Sequence, residues 1–339
     1  MPLPLSLLRA LTRIAPADAW SALLQHAWDL CAAPLSTPKA AAQEVPRRDR
    51  QLGDLDLFLA VAGWDLWAHF LTCVPRTATQ LGRWWSSHPP GRAVLILDSL
   101  SLRELPWLLH GAQARGYTVH QARPTGAELP SDTNSFARAL GLSHRGVLQS
   151  NGAPRNHSLA GAVTDSHDLP FDAIDLGPHP DIFLWHHSPD IRLHEFAEPG
   201  HGAGAIADEA GRQLTSEAFW TLVHRLTTGR RLIITSDHGY AASGLFGDVS
   251  DPALAQDLKD RFKSGRWVPL ERRWQAPPGG RWMPPIDLVI DTPHQGECAF
   301  VVGRRKWKIA GGYPTLTHGG LTLLELAVPF LELTRPAGS

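Results

Sequence analysis

The chain is 339 residues long, 43% apolar and 19% charged, which suits a sizeable buried core and argues against global disorder. Lys and Arg number 32 against 33 Asp and Glu, a net charge of -1 that excludes a strongly basic nucleic-acid sponge, so any anion specificity must be local. Cys31, Cys73 and Cys298 lie far apart, which excludes a disulfide scaffold and a cysteine zinc cluster and fits a reducing compartment.

Residues 1–33 are expected to be helical, because Trp20, Leu23, Leu24, Ala27 and Trp28 recur at a spacing of three or four. A polar, Pro-bearing stretch from Pro34 to Gln51 reads as a linker, and Asp54 to Leu71 as a second apolar helix. The Trp residues of this region, 1–90, imply packing on the main domain or, alternatively, on a protein partner. The longest apolar run, Leu57 to Trp64, is far short of the roughly 18 residues of a membrane span. The opening residues also lack a signal-peptide pattern, so a cytoplasmic protein with no membrane contact is the default expectation.

From residue 91 the texture changes. Ala93 to Leu97 is a continuous apolar run of strand length, followed by a helical stretch from Ser101 to Ala114 and a strand from Tyr117 to Ala122. Asp181 to Trp185 and Arg231 to Thr235 are two more strands of buried type, the second preceded by a helix over Ser216 to Thr227. Short apolar strands alternating with helices predict an α/β domain over 91–339 with a mostly parallel sheet. Ligands of such sheets lie beyond the carboxyl ends of the strands. Residues 245–285, rich in Gly, Pro and Trp, read as a cap or insertion. Ile286 to Ile290, Cys298 to Val302 and Lys306 to Ile309 read as later strands, and Thr322 to Glu325 as a capping box before a last helix.

Metal-capable residues gather at the strand ends. Asp98 ends the first strand. Asp190 and His194 follow the Asp181 strand at a spacing that shares one helical face, which also suits a surface ion pair. Asp237 and His238 follow the Arg231 strand, and neighbours on a strand point to opposite faces, so a turn at Gly239 is needed for both to meet one ion. His318 precedes Gly319 and Gly320.

Taken together, the segments LILDSL, LPSDTNSFARALG, FLWHHSPDIRLHEF, IITSDHGY and LTHGGLTLLELAVPF resemble the alkaline phosphatase superfamily and, within it, the PglZ domain family. The resemblance covers residues 90–333. It implies an alkaline-phosphatase-like three-layer core, with helices on both faces of a mostly parallel central sheet, and a helical N-terminal extension. It implies two divalent metals, Zn²⁺ or alternatively Mn²⁺, one held by Asp190, His194 and His318 and the other by Asp98, Asp237 and His238. It places a threonine nucleophile at Thr133, with Ser131 as fallback, Ser101 as a more distant alternative, and the Asn134 backbone N–H on a phosphoryl oxygen. Thr133 also reads as a plain helix N-cap.

The implied activity is a metal-dependent phosphodiesterase on a nucleotide or oligonucleotide substrate, working through a phosphothreonine, in phage defence of the BREX kind or in signalling. The rivals are a phosphomonoesterase or phosphomutase on the same scaffold, and a non-catalytic assembly protein with structural metals. Lys306 and Lys308, which alternate around Trp307, and Arg103 are further candidates for substrate phosphate. His186 and His187 read as surface or supporting residues. Family members often carry Arg close to the first Asp, whereas position 101 here is Ser.

Overall fold

A computed structural model describes residues 4–11, 14–35, 41–196, 202–242, 247–270, 284–308 and 316–335. The N-terminal part is helical. α1 (Leu5–Leu11) is followed by α2 (Pro16–Ala32), which starts with Pro in its first turn and buries Trp20, Leu23, Leu24, Ala27 and Trp28. The linker expected from Pro34 to Gln51 is not one: positions 36–40 lie outside the described residues, and from Ala41 the chain is α3 (Ala41–Val61). The polar residues there do structural work. Arg48 donates to the carbonyls of Cys31, Ala33 and Pro34 and so closes the C-terminus of α2. Val45, Leu52, Leu55 and Leu59 form the buried stripe between the charges. α3 stops at Val61, short of the expected Leu71. A 3₁₀ turn (Trp64–His69) and α4 (Phe70–Cys73) follow, and they let Trp67 and Phe70 meet Trp20, with ring centroids 4.8 and 5.2 Å from it.

After α5 (Thr77–Ser87) the α/β pattern begins: β1 (Arg92–Leu97), α6 (Leu105–Ala114), β2 (Thr118–Gly126), α7 (Thr133–Ala139), β3 (Val163–His167) and β4 (Asp181–His186). Then come α8 (Asp190–Glu195), α9 (Gly202–Thr215), α10 (Glu217–Thr227) and β5 (Arg231–Thr235). Two short strands, β6 (Ala241–Ala242) and β7 (Gly247–Asp248), lead to α11 (Pro252–Phe262) and β8 (Trp267–Pro269). The chain closes with β9 (Asp287–Thr292), β10 (Gly296–Val301), β11 (Arg305–Lys306), β12 (Leu316–Thr317), α12 (Leu323–Leu326) and β13 (Ala327–Thr334). The last helix is thus a single turn, and the apolar run after it is a strand. Periodicity cannot separate a short buried strand from a buried helix, and Pro329 disfavours the helix.

The main sheet has the order β2-β13-β5-β1-β4-β3, parallel throughout except for β13, which runs against both its neighbours. Alternate residues feed two separate cores. Leu95, Leu97, Leu184 and Ile234 join α2, α3, α6, α9 and α10 on one face, whereas Val94, Ile96, Phe183 and Ile233 join α5 and α7 on the other. This is a three-layer α/β fold with helices on both faces.

Of the stretch expected to be a cap, 245–246 and 271–283 lie outside the described residues. What is described is α11 and a three-stranded antiparallel sheet, β8-β10-β9, with a small core of its own around Leu258, Phe262, Val301 and Trp307. Among the described residues no helix is long and apolar enough to cross a membrane.

Candidate metal centre

The carboxyl ends of β1, β4 and β5, the three central parallel strands, meet at one place. Asp98 leaves β1, and its backbone is locked on both sides: its N–H donates to His186 O (3.0 Å) and its carbonyl accepts from Asp190 N (3.1 Å). Asp190 opens α8, and the helical spacing sets His194 Nε2 3.3 Å from Asp190 Oδ2. Beyond β5 the chain turns at Gly239, where a Cβ would lie 2.2 Å from Leu324 O. Only glycine fits, and the turn lets Asp237 and His238 face the same space.

His318 follows β12. Its loop is held by Ser131, whose carbonyl accepts from His318 Nδ1 (3.1 Å) and whose Oγ accepts from Gly319 N (3.1 Å). Trp267 packs where a Gly319 Cβ would be, and Gly319 is at φ +104.

Two groups result. Asp98, Asp237 and His238 are fully buried; Asp190, His194 and His318 lie nearer the surface. In each group the ligand atoms lie within 4.8 Å of one another. The His238 and His318 rings stack, with centroids 4.3 Å apart, and so join the groups. Because His238 Nδ1 faces Gly239 O (2.9 Å) and His318 Nδ1 faces Ser131 O, each Nδ1 carries its proton and leaves Nε2 as the donor atom.

Burial, with Asp237 and Asp190 close by, pushes the Asp98 carboxyl well above the usual range. Burial also acts upward on Asp190, but the hydrogen bond to His194 and the nearby His238 and His318 imidazoles outweigh it and hold its carboxyl low. That same hydrogen bond raises His194. Burial, and then His238, lowers His318 to about 4, so its imidazole is neutral at pH 7, as a metal ligand must be. Three crowded carboxylates and three imidazoles are a donor set that could hold divalent cations.

Thr133 begins α7, and Asp132, not Thr133, is the N-cap. Thr133 Oγ1 lies 3.0 Å from Asp237 Oδ2 and 3.4 Å from both Asp98 Oδ1 and His238 Nε2. Asn134 is the next residue of α7. Ser131 is buried against the His318 loop, and Ser101 caps the 3₁₀ turn before α6.

Arg103 is not at the centre. It is buried, its Nη2 pairs with Asp49 Oδ1 at 2.6 Å and its Nη1 donates to Tyr240 O. A buried guanidinium needs such partners, and the carboxylate it pairs with lies in α3. Lys306 lies on the two-residue β11 and lines a small cavity with Lys263, Arg305 and Thr317, whereas Lys308 is exposed just beyond; the strand expected here reaches Ile309, which is outside the described residues. His186 Nε2 meets Leu169 O and His187 Nε2 meets Ser166 Oγ; neither belongs to a ligand group.

Three residues at the centre escape the sequence reading. Arg145 forms an ion pair with Asp98 Oδ2, Trp185 Nε1 donates to the same oxygen at 3.3 Å, and Ser99 contacts both groups. Ser99 had a signal, its place beside Asp98. Arg145, in a separate turn, had none.

No family model matches the chain, and no curated protein does. Among solved structures it is similar to murine ectonucleotide pyrophosphatase/phosphodiesterase 5, inactive and in complex with AMP (TM-score 0.40, 12% identity, covering 74% of this chain and 89% of that one). The human counterpart gives a TM-score of 0.39 at 12% identity over 73% and 88% of the two chains. Phosphonoacetate hydrolase from Sinorhizobium meliloti, in complex with phosphonoformate, gives 0.38 at 14% over 74% and 91%.

Proposed function

We propose that the chain is a two-cation phosphohydrolase with Thr133 as its nucleophile, acting on phosphodiesters such as those of a nucleotide or oligonucleotide. The observation that carries this reading is the Thr133 hydroxyl, 3.0 Å from Asp237 and 3.4 Å from Asp98 and His238. Asp98, Asp237 and His238 would hold one cation, and Asp190, His194 and His318 the other. Such cations supply Lewis acidity and offset the negative charge that builds on the phosphoryl oxygens.

The residues of the chain do the rest. Asp237 Oδ2 accepts the Thr133 hydroxyl proton, which points the oxygen lone pairs away from the carboxylate. Attack forms a Thr133 Oγ1–P bond and breaks the ester P–O bond, Asp237 passes the hydroxyl proton on to solvent, and the leaving oxygen takes one up from solvent to depart as the alcohol. Water then breaks the Oγ1–P bond, giving the phosphate product and restoring the hydroxyl. The Asn134 backbone N–H at the start of α7 would hold a phosphoryl oxygen, and Arg145 brings positive charge to the side of Asp98. The PglZ-like motifs extend the reading to a defence or signalling protein.

The test is turnover of bis-p-nitrophenyl phosphate and p-nitrophenyl phosphate by purified protein with added Zn²⁺ or Mn²⁺. Diester turnover that Thr133→Ala abolishes, with the fold retained, supports the proposal. Turnover of the monoester alone would favour the phosphomonoesterase. No turnover on either, with cations bound, would leave an assembly protein with structural metals.

A further inference from the structure

Ser99 touches both ligand groups at once. It is fully buried and sits at φ +62, a left-handed backbone that a serine seldom adopts and that costs free energy to hold. Its Oγ lies 2.7 Å from Asp190 Oδ1 and 3.2 Å from His238 Nδ1, and its backbone N–H donates to Asp237 Oδ1 at 3.1 Å. The proton positions follow from the partners. A carboxylate only accepts, so the Ser99 hydroxyl proton goes to Asp190. His238 Nδ1 already carries a proton, shared between Gly239 O and Ser99 Oγ. The relay therefore runs from His238 Nδ1–H through Ser99 Oγ–H to Asp190 Oδ1. One end is a ligand of the buried group and the other a ligand of the outer group. It leaves His238 Nε2 facing Asp237 Oδ2 (3.4 Å) and Asp98 Oδ1 (3.7 Å).

We propose that Ser99 is a positioning residue that couples the two cation positions, so that filling one group orients the ligands of the other. This rests on the two-cation reading above. A side chain that orients metal ligands typically carries a factor of about 10–100 in metal affinity. Coupling adds that the loss falls on both positions when the link is cut.

The experiment titrates Zn²⁺ into chelator-treated wild type, Ser99→Ala and Ser99→Gly, followed by calorimetry and metal analysis, with circular dichroism to verify the fold. Ala removes the hydroxyl and keeps the strained side-chain backbone; Gly removes both. Wild type is expected to take two Zn²⁺ in one merged step. Both variants are expected to bind at least tenfold more weakly and in two separated steps, although apo Ser99→Gly melts above apo Ser99→Ala. A metal defect in Ala that Gly restores would assign the effect to backbone strain and overturn the proposal. Isotherms matching wild type would overturn it while leaving the two-cation reading intact. Wild type that binds no Zn²⁺ would sink both.

Discussion

Asp49→Ala tests whether the N-terminal helices are part of the same cooperative unit as the sheet. Asp49 has no exposed side-chain surface and serves two buried guanidinia. Oδ1 accepts from Arg103 Nη2 (2.6 Å) and Arg304 Nη2 (3.0 Å), and Oδ2 from Arg304 Nη1 (2.7 Å). Arg304 also pairs with Asp56 (2.6 Å), whose other oxygen accepts from Leu323 N, at the start of α12 and close to the His318 loop. Removing Asp49 leaves Arg103 with only neutral oxygen acceptors, and Arg304 with one carboxylate. Breaking a single buried pair costs about 3–5 kcal/mol, and Asp49 belongs to two, so a loss of about 4 kcal/mol or more is expected. That is a large share of the roughly 5–15 kcal/mol that holds a folded domain together.

The assay is urea unfolding at pH 7 read by tryptophan fluorescence, with Leu57→Ala as a surface control, since Leu57 is 61% exposed. The acid limb gives a second reading. Burial acts to raise the Asp49 carboxyl, but Arg103 and Arg304 outweigh it and set its folded pKa below the free value. Its contribution is therefore full above the unfolded pKa and is lost as pH falls through the folded one, so the gap between wild type and variant should begin to narrow below about pH 4. A loss under about 1 kcal/mol at pH 7 would refute the reasoning and detach the helices from the core.

Two further outcomes are expected. Gly239→Ala puts a Cβ against the Leu324 carbonyl, so it should destabilise by about 1–3 kcal/mol and weaken Zn²⁺ uptake; Gly53→Ala, whose nearest contact is 3.9 Å, should do neither, and equal melting and uptake in both would discard the steric argument. Burial raises Glu104 to about 7, so the folded chain keeps a proton that the unfolded chain releases above about pH 4.5. Stability should then fall by about 3 kcal/mol as pH climbs from 4.5 to 7, and Glu104→Gln should flatten that slope; parallel pH profiles for wild type and variant would refute it.

The strands near residues 93–97, 181–185 and 231–235 are legible because a parallel sheet buries both faces and leaves an unbroken apolar run. Four of the six candidate ligands are legible for a related reason: Asp98, Asp190, Asp237 and His238 lie within four residues of the ends of β1, β4 and β5, and the ends of parallel strands meet, while His194 follows from its helical spacing to Asp190. α3 is not legible, because its helical stripe is interrupted by Arg48, Asp49 and Asp56, and their burial depends on partners as distant as Arg304. The same distance misleads at Arg103, whose nearness to Asp98 in sequence suggests a phosphate ligand while its guanidinium turns to α3. Arg145 lies 47 positions from Asp98, and nothing local marks it.

β13 is the last of the six main-sheet strands to leave the ribosome, yet it belongs between β5 and β2. Until residues 327–334 are made, both of those strands have an open edge of unpaired backbone, and the sheet is in two pieces. Completion is an insertion into a waiting slot rather than growth at a rim. Newly made chains held just short of that point should be sticky, and should need a chaperone more than the finished protein does.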